Sequence, residues 1–415
     1  MFDQSFSADN YMRIFQEENR KGNIAFDAMP EPYKNIVADM KAQQSEVVEI
    51  TKKKKINRTD DDLARLEELK SSIKNLRFDR DKELYEELIE YANKANLNDF
   101  TFPIKYYVEK DKQIFTIDTS QWEYFYAIKN LQRILRGLFN VKQANKHQIL
   151  SNIQLLMNTT RRFYLIRTDI TSFFESIPQL DLLEKIKSNN LVNSKTIGMI
   201  KGILAEYNSQ KDINKIKENC GVPRGIGISP YLSEIYMHDI DQHIRNREEV
   251  IFYARYVDDI LIILSGLPNE QSIFQYYRGL RELFGKYGLE IKKNCQQEDR
   301  CKLCDFYKST ANDELRYLGY NIIITKPGRE IVAEFGMLDT KVEKIKHKID
   351  LAFSHFESVS KINLKRAKRD LLDSLNLISG NYRLTKSKER VKAGLFFGND
   401  LLTKFNDLDS LTTYL

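Results

Sequence analysis

Two apolar runs rich in β-branched residues, Val250-Ile251-Phe252-Tyr253 and Ile260-Leu261-Ile262-Ile263-Leu264, predict two buried strands joined by a tight turn. A third run, Phe163-Tyr164-Leu165-Ile166, predicts another short strand. Elsewhere the apolar spacing lengthens to that of a helix. Leu63, Leu66, Leu69, Ile73 and Leu76 follow Thr59, which with Asp60, Asp61 and Asp62 has the form of an N-cap and an acidic first turn. A second helix carrying Leu84, Leu88, Ile89 and Ala92 is expected to fold against the first. Helical spacing recurs around residues 128–135, 149–156 and 180–217, and in Leu232, Ile235 and Tyr236 after a Gly/Pro-rich loop at 221–230. Beyond about Lys326 the pattern predicts helix alone. Asp339 is placed to cap a helix striped by Val342, Ile345, Ile349, Phe353 and Phe356, and Lys361, Lys365, Arg366, Lys368 and Arg369 make the next helix strongly cationic. The chain therefore divides into a helical region at 1–97, an α/β region at 98–326 and a helical region at 327–415.

Composition narrows this picture only modestly. At 415 residues the chain is long enough for more than one domain. Lys and Arg number 65 against 59 Asp and Glu, a net charge of +6, which suits nucleic acid only if the cations cluster. Four cysteines in such a length imply a reducing compartment without a disulfide framework. No basic and apolar leader pattern or membrane-length run is visible, so a cytoplasmic protein with no membrane partner is expected. Cys295, Cys301 and Cys304 include one C-x-x-C spacing, but a zinc site wants four ligands and His347 and His355 are distant; reduced thiols are the favoured reading. The block Lys52-Lys53-Lys54-Lys55 suits a solvated linker between helices better than an RNA contact.

Asp258 and Asp259 interrupt the long apolar stretch. Carboxylates beside that much hydrophobic surface are costly unless a cation or hydrogen bonds compensate them, and a divalent metal is the economical explanation. A turn cap is the plain alternative. It leaves unexplained Asp169, a third carboxylate at the end of the strand that begins at Phe163. If these strands are neighbours, the three acids converge and can hold two Mg²⁺ ions roughly 3.5–4 Å apart, an arrangement suited to in-line phosphoryl transfer.

Four motifs in order carry a resemblance to reverse transcriptases. Asp169-Ile170-Thr171-Ser172-Phe173-Phe174-Glu175-Ser176-Ile177 resembles the first palm motif of the bacterial enzymes, Gly221 to Pro230 their glycine loop, and Tyr256-Val257-Asp258-Asp259 the YxDD box. Leu315-Arg316-Tyr317-Leu318-Gly319-Tyr320 resembles the primer-grip hairpin. The similarity runs from about Phe102 to Tyr320 and implies a right-hand polymerase, with fingers and palm at 98–326 and a helical thumb at 327–415. It implies an RNA-directed DNA polymerase that uses two Mg²⁺ ions, with Mn²⁺ as a substitute, an RNA template, dNTPs and a DNA product.

By the same resemblance Asp169, Asp258 and Asp259 are the catalytic metal ligands, assisted by the Ile170 carbonyl. Phe174 crowds the sugar 2′ position and selects deoxynucleotides. Arg224, Gly225, Lys105, Lys110 and Lys112 face the nucleotide. Tyr256, Tyr317, Leu318 and Gly319 hold primer and template, and Lys365, Arg366 and Arg369 hold nucleic-acid phosphates. One of Phe173 and Phe174 is expected in the core, on the reasoning that adjacent strand residues face opposite sides. Arg224 stands where many relatives have glutamine and Gln113 where an arginine is usual, while Lys292 and Lys293 come early for the lysine that protonates pyrophosphate.

The two ends resemble a narrower group. Met1-Phe2-Asp3-Gln4-Ser5-Phe6-Ser7 with Glu18-Asn19-Arg20-Lys21-Gly22 is similar to the start of the a-subunit of the third class of bacterial defence-associated reverse transcriptases, the abortive-infection lineage. Residues 378–384 and 392–397 resemble that lineage's helical C-terminal region. This implies anti-phage defence, a small non-coding RNA, and a second reverse transcriptase subunit or a homo-oligomer as partner. Template-independent or protein-primed synthesis by the same site, and an RNA-binding scaffold with a weak active site, stay open as alternatives.

Overall fold

A computed structural model describes residues 2–142, 144–158, 162–188, 190–267, 270–292, 302–305, 313–325, 331–384 and 391–415. Two compact units interleave along the chain. The first comprises Met1–Val141, Leu183–Glu218 and Val222–Leu232, and the second Lys142–Leu182, Asn219–Gly221 and Ser233–Leu415. The expected boundary at 326 lies outside the described residues.

In the first unit Thr59 does cap a helix. Its Oγ1 accepts from the Asp62 amide while the Asp62 carboxylate accepts from the Thr59 amide, a reciprocal capping box. The helix then runs unbroken from Asp60 to Asn96, so the expected second helix is its continuation. No Gly or Pro falls inside those 37 residues, and Leu66, Leu69, Ile73, Leu84, Leu88, Ala92 and Ala95 are all buried along it. Its N-terminal part packs on the helix Glu31–Lys52, where Arg65 pairs with Glu46 at 2.8 Å; further on, Tyr85 donates to Asp9 of the helix Ala8–Arg20. The lysine block lies in the connection between these helices, and the Lys53 ammonium bonds both oxygens of Asp62. The same unit holds an antiparallel hairpin of β1 (Ile104–Glu109) and β2 (Lys112–Ile117), closed by Lys110 and Asp111, both with positive φ.

The second unit contains two sheets. Strands β3 (Tyr164–Asp169), β4 (Val250–Tyr256), β5 (Asp259–Leu264) and β6 (Lys302–Asp305) form an antiparallel sheet in the order β4-β5-β3-β6. Strands β7 (Asp313–Tyr317), β8 (Tyr320–Thr325) and β9 (Val332–Met337) form the other. The helix Lys146–Met157 supplies Ile149, Leu150, Ile153 and Met157 to a core shared with Leu165, Leu261 and Ile263 of the first sheet and Leu315, Ile322 and Phe335 of the second. Every residue of β3 is buried, as are Ile260 to Leu264 of β5. Each fully buried Leu or Ile contributes about 1.5–3 kcal/mol, so a slip of these two strands is strongly opposed.

Strand β9 corrects the expectation of helix alone beyond Lys326. Ala333, Phe335 and Met337 point inward at a period of two, the pattern of a half-buried strand. Two further strands, β10 (Asn381–Leu384) and β11 (Val391–Gly394), pair antiparallel in a region expected to be helical. Asp339 sits in the first turn of the helix Asp339–Ser360, whose N-cap is Leu338. On that helix Val342 and Ile349 are buried, but Phe353 is exposed, and Ala352 takes the inward place instead. Among the described residues no helix is long and apolar enough to cross a membrane.

Candidate functional site

The register of the first sheet brings the acids together in the backbone. Asp169 at the end of β3 lies opposite Asp259 at the start of β5, and Tyr256 of β4 lies opposite Asp259 on its other side. Val257 and Asp258 make the two-residue turn between β4 and β5. The Ile170 amide donates to the Asp258 carbonyl at 3.1 Å, which ties the end of β3 to that turn. Asp169 is buried, Asp258 and Asp259 are half-buried, and Tyr256 is exposed. Asp259 also accepts from Arg167 Nη2 at 3.5 Å.

After Asp169 the chain turns through Ser172, with φ of 48°, into the short helix Phe173–Ser176. Phe173 is buried and Phe174 half-buried, their rings 5.5 Å apart. One of the pair is core as expected, but the reason is the helical turn and not strand alternation. The Thr171 amide donates to the Glu290 carbonyl, and Ile170 forms an isolated bridge with Ile291, which places Lys292 one residue beyond that bridge. Lys293 lies outside the described residues, as do Cys295 and Cys301.

Arg167 joins the carboxylates to the second sheet. Its guanidinium lies 5.8 Å from the ring centre of Tyr317, and both line a cleft of about 450 Å³ with Asp259, Leu318 and Gly319. Burial pushes the Tyr317 hydroxyl pKa well above its ordinary value, so this group stays neutral beside the acids. Leu318 and Gly319 both have positive φ in the tight turn between β7 and β8. A side chain at Gly319 would reach Lys146 Nζ, 3.2 Å from where its Cβ would stand. Burial lowers the pKa of Lys146.

Arg255, Glu234 and Asp241 were missed in the sequence. Arg255 is buried one residue before Tyr256, bonded to Asp241 and Glu234 of the helix Ser229–Arg245 and to the Val257 carbonyl. Burial by itself disfavours its charge, but Asp241 and then Glu234 outweigh that and hold its proton more firmly than usual. The signal was an arginine inside an apolar strand and two acids seven apart, on one helical face.

In the first unit Lys105, Lys110 and Lys112 are exposed on the β1–β2 hairpin. Gln113 is tied down: its amide donates to the Gln210 carbonyl and its oxygen accepts from the Asp212 amide at 2.8 Å. The Arg224 carbonyl accepts from the Phe115 amide at 2.7 Å. Gly225 has φ of 102°, and a Cβ there would stand 2.6 Å from the Phe115 carbonyl oxygen, so this close approach of loop to hairpin requires glycine. Lys365, Arg366 and Arg369 are exposed on the helix Leu364–Ser379, outside the residues lining the cleft.

The donors at the site are hard oxygens, the chemistry Mg²⁺ prefers. Among the described residues, however, no three His, Cys, Asp or Glu side chains converge closely enough to form a metal cluster. The backbone register is in place while the Asp259 carboxylate leans on Arg167.

Residues 117–322 match the family described as reverse transcriptase (RNA-dependent DNA polymerase). The match ends within two residues of Tyr320 but begins after β1, leaving Lys105, Lys110 and Lys112 outside it. Among solved structures, the chain is similar to telomerase from Candida tropicalis in complex with a TWJ fragment of telomeric RNA, at 15% identity and a TM-score of 0.37, covering 66% of this chain and 52% of that one. Telomerase from Candida albicans in complex with the same kind of fragment is similar at 12% identity and a TM-score of 0.35, covering 71% and 59%. The chain thus spans somewhat over half the length of these structures. No curated protein matches it significantly.

Proposed function

The chain carries a reverse transcriptase domain at residues 117–322, built of helices and antiparallel sheets, and on that premise we propose that it makes DNA on an RNA template by two-metal transfer of deoxynucleotides. The observation that carries this reading is the pairing of Asp169 with Asp259 across β3 and β5, with Asp258 in the adjoining turn. Asp169, Asp258 and Asp259 would hold the divalent ions, with the Ile170 carbonyl beside them. Bound ions supply activation of the primer 3′-hydroxyl and neutralisation of the triphosphate. Tyr256, exposed at the end of β4, would meet the primer terminus, and Tyr317, Leu318 and Gly319 would steady it from the other side of the cleft. Phe174 would exclude the ribose 2′-hydroxyl. Lys105, Lys110, Lys112, Arg224 and Gly225 are assigned to the incoming nucleotide.

Asp258→Asn and Asp169→Asn should each abolish incorporation on an RNA template while leaving thermal unfolding close to that of the unmodified chain. Incorporation at the unmodified rate by a folded Asp169→Asn, Asp258→Asn double variant would sink the mechanism. Sequencing the product separates templated synthesis from template-independent or protein-primed synthesis, and a protein that binds RNA without incorporating is the scaffold. Neutralising Lys365, Arg366 and Arg369 together should flatten the plot of log RNA affinity against log salt by roughly 0.7–0.9 per lost phosphate contact. An unchanged slope would assign that helix face to another role.

The biological setting we propose is cytoplasmic anti-phage defence, with a small non-coding RNA and a second reverse transcriptase subunit or another copy of this chain. It is supported by the resemblance of the two ends of the sequence. Loss of plaque protection in the Asp258→Asn variant, together with sequencing of copurified nucleic acid, tests it.

A further inference from the structure

Val257 occupies a backbone conformation that its side chain resists. Its φ is 61°, in the left-handed region, where a β-branched residue is an outlier costing about 1–3 kcal/mol. A two-residue hairpin turn with positive φ at its first position ordinarily takes glycine there. Something other than local preference must hold this turn. The Arg255 side chain bonds it from inside the unit, Nη1 donating to the Val257 carbonyl at 2.9 Å.

Arg255 has no freedom to do otherwise. Its side chain is 3% exposed, and all five N–H donors of the guanidinium are engaged. Nε and Nη2 donate to Asp241 Oδ1 at 3.0 Å and Oδ2 at 2.8 Å, while Nη1 and Nη2 donate to Glu234 Oε1 at 2.9 Å and Oε2 at 2.6 Å. The fifth bond is the one to Val257. Tyr253, two residues earlier on β4, fixes Asp241 in turn by donating to its Oδ1 at 2.6 Å. Glu234 and Asp241 stand seven residues apart on one face of the helix Ser229–Arg245, so the fork is locked to a rigid element.

We propose that Arg255, locked by Glu234 and Asp241, is a positioning residue: by gripping the Val257 carbonyl it holds the strained turn in the shape that presents Asp258 and Asp259 to the metal ions. This rests on the polymerase reading above. The fifth N–H of a buried guanidinium needs an acceptor, and the one it takes is the carbonyl between Tyr256 and Asp258, which couples the cluster to the turn. Lysine cannot replace this arginine, because a single ammonium cannot bridge two carboxylates and the carbonyl in the same geometry.

The test uses the full chain with Arg255→Lys, which keeps the buried charge. Three quantities are measured: Mn²⁺ affinity by electron paramagnetic resonance without nucleotide, kcat and KM for a dNTP, and the Kd for RNA. Mn²⁺ affinity and kcat are expected to fall roughly ten- to hundredfold, as for residues that orient metal ligands from behind, with KM and the RNA Kd unchanged. Glu234→Gln keeps the Asp241 pair and the fold, and should shift the same two quantities in the same direction by less. A folded Arg255→Lys with the Mn²⁺ affinity and kcat of the unmodified chain overturns the proposal, as does a variant that loses only thermal stability. Should Arg255→Lys fail to fold, an unchanged Glu234→Gln overturns it equally. If the unmodified chain incorporates no dNTP, the polymerase reading falls, while the Mn²⁺ titration still decides whether Arg255 sets the turn.

Discussion

Two of the hairpins that turn in two residues, β1–β2 and β4–β5, solve the same geometric problem in opposite ways. Between β1 and β2 the left-handed positions go to Lys110 and Asp111, at φ of 49° and 61°, polar residues exposed to water. Between β4 and β5 the left-handed position goes to Val257, and a buried arginine with two carboxylates holds it there. The first turn follows from solvent and local chemistry. The second is imposed from within, in the turn that carries Asp258. Backbone strain persists where the surrounding structure over-determines the chain, and a neighbouring network offsets its cost.

The sharpest way to break this contrast is to remove the cation. Arg255→Met leaves Asp241 and Glu234 without their buried partner and should cost about 3–5 kcal/mol, read as a drop in the denaturation midpoint. A loss well under 1 kcal/mol would show that water or another group compensates these acids. A smaller effect, of opposite sign, is expected at Val257. Val257→Gly relieves the left-handed conformation but adds unfolded-chain entropy, for a net stabilisation of about 1 kcal/mol or less. Destabilisation by that change would mean that the side chain's packing matters more than the strain. The smallest effect belongs to the β1–β2 turn, where Asp111→Gly should change stability by under about 0.5 kcal/mol. A larger loss there would make the two hairpins more alike than they look.

Much of the candidate site was legible because it breaks a pattern. Asp258 and Asp259 stand out against Ile260 to Leu264, and Asp169 against the strand before it; buried strands announce themselves, and acids beside them demand a reason. Arg255 was equally anomalous in the chain. Its partners lie 14 and 21 residues upstream on a helix, so their meeting depends on how that helix packs on β4. In the helix Asp60–Asn96 two apolar clusters suggest two helices, whereas the absence of Gly and Pro favours the single one observed. Strand β9 was missed because its inward residues alternate with half-buried ones beside a helical stretch. Gln113 could not be interpreted from sequence at all: its contacts to Gln210 and Asp212 come from far along the chain.

The placement of β3 has a consequence for the protein while it is being made. This strand, buried along its whole length, pairs with β5 and β6, both of which lie downstream; Arg167 meets Asp259 across 92 residues. At about 5–20 residues per second, roughly 5 to 20 seconds separate synthesis of the strand that carries Asp169 from synthesis of its partner. Through that interval Tyr164, Leu165 and Ile166 have no sheet to join. A ribosome that stalls between the two strands would expose an unpaired apolar edge, so the strand that ends in Asp169 depends on uninterrupted translation through its partner.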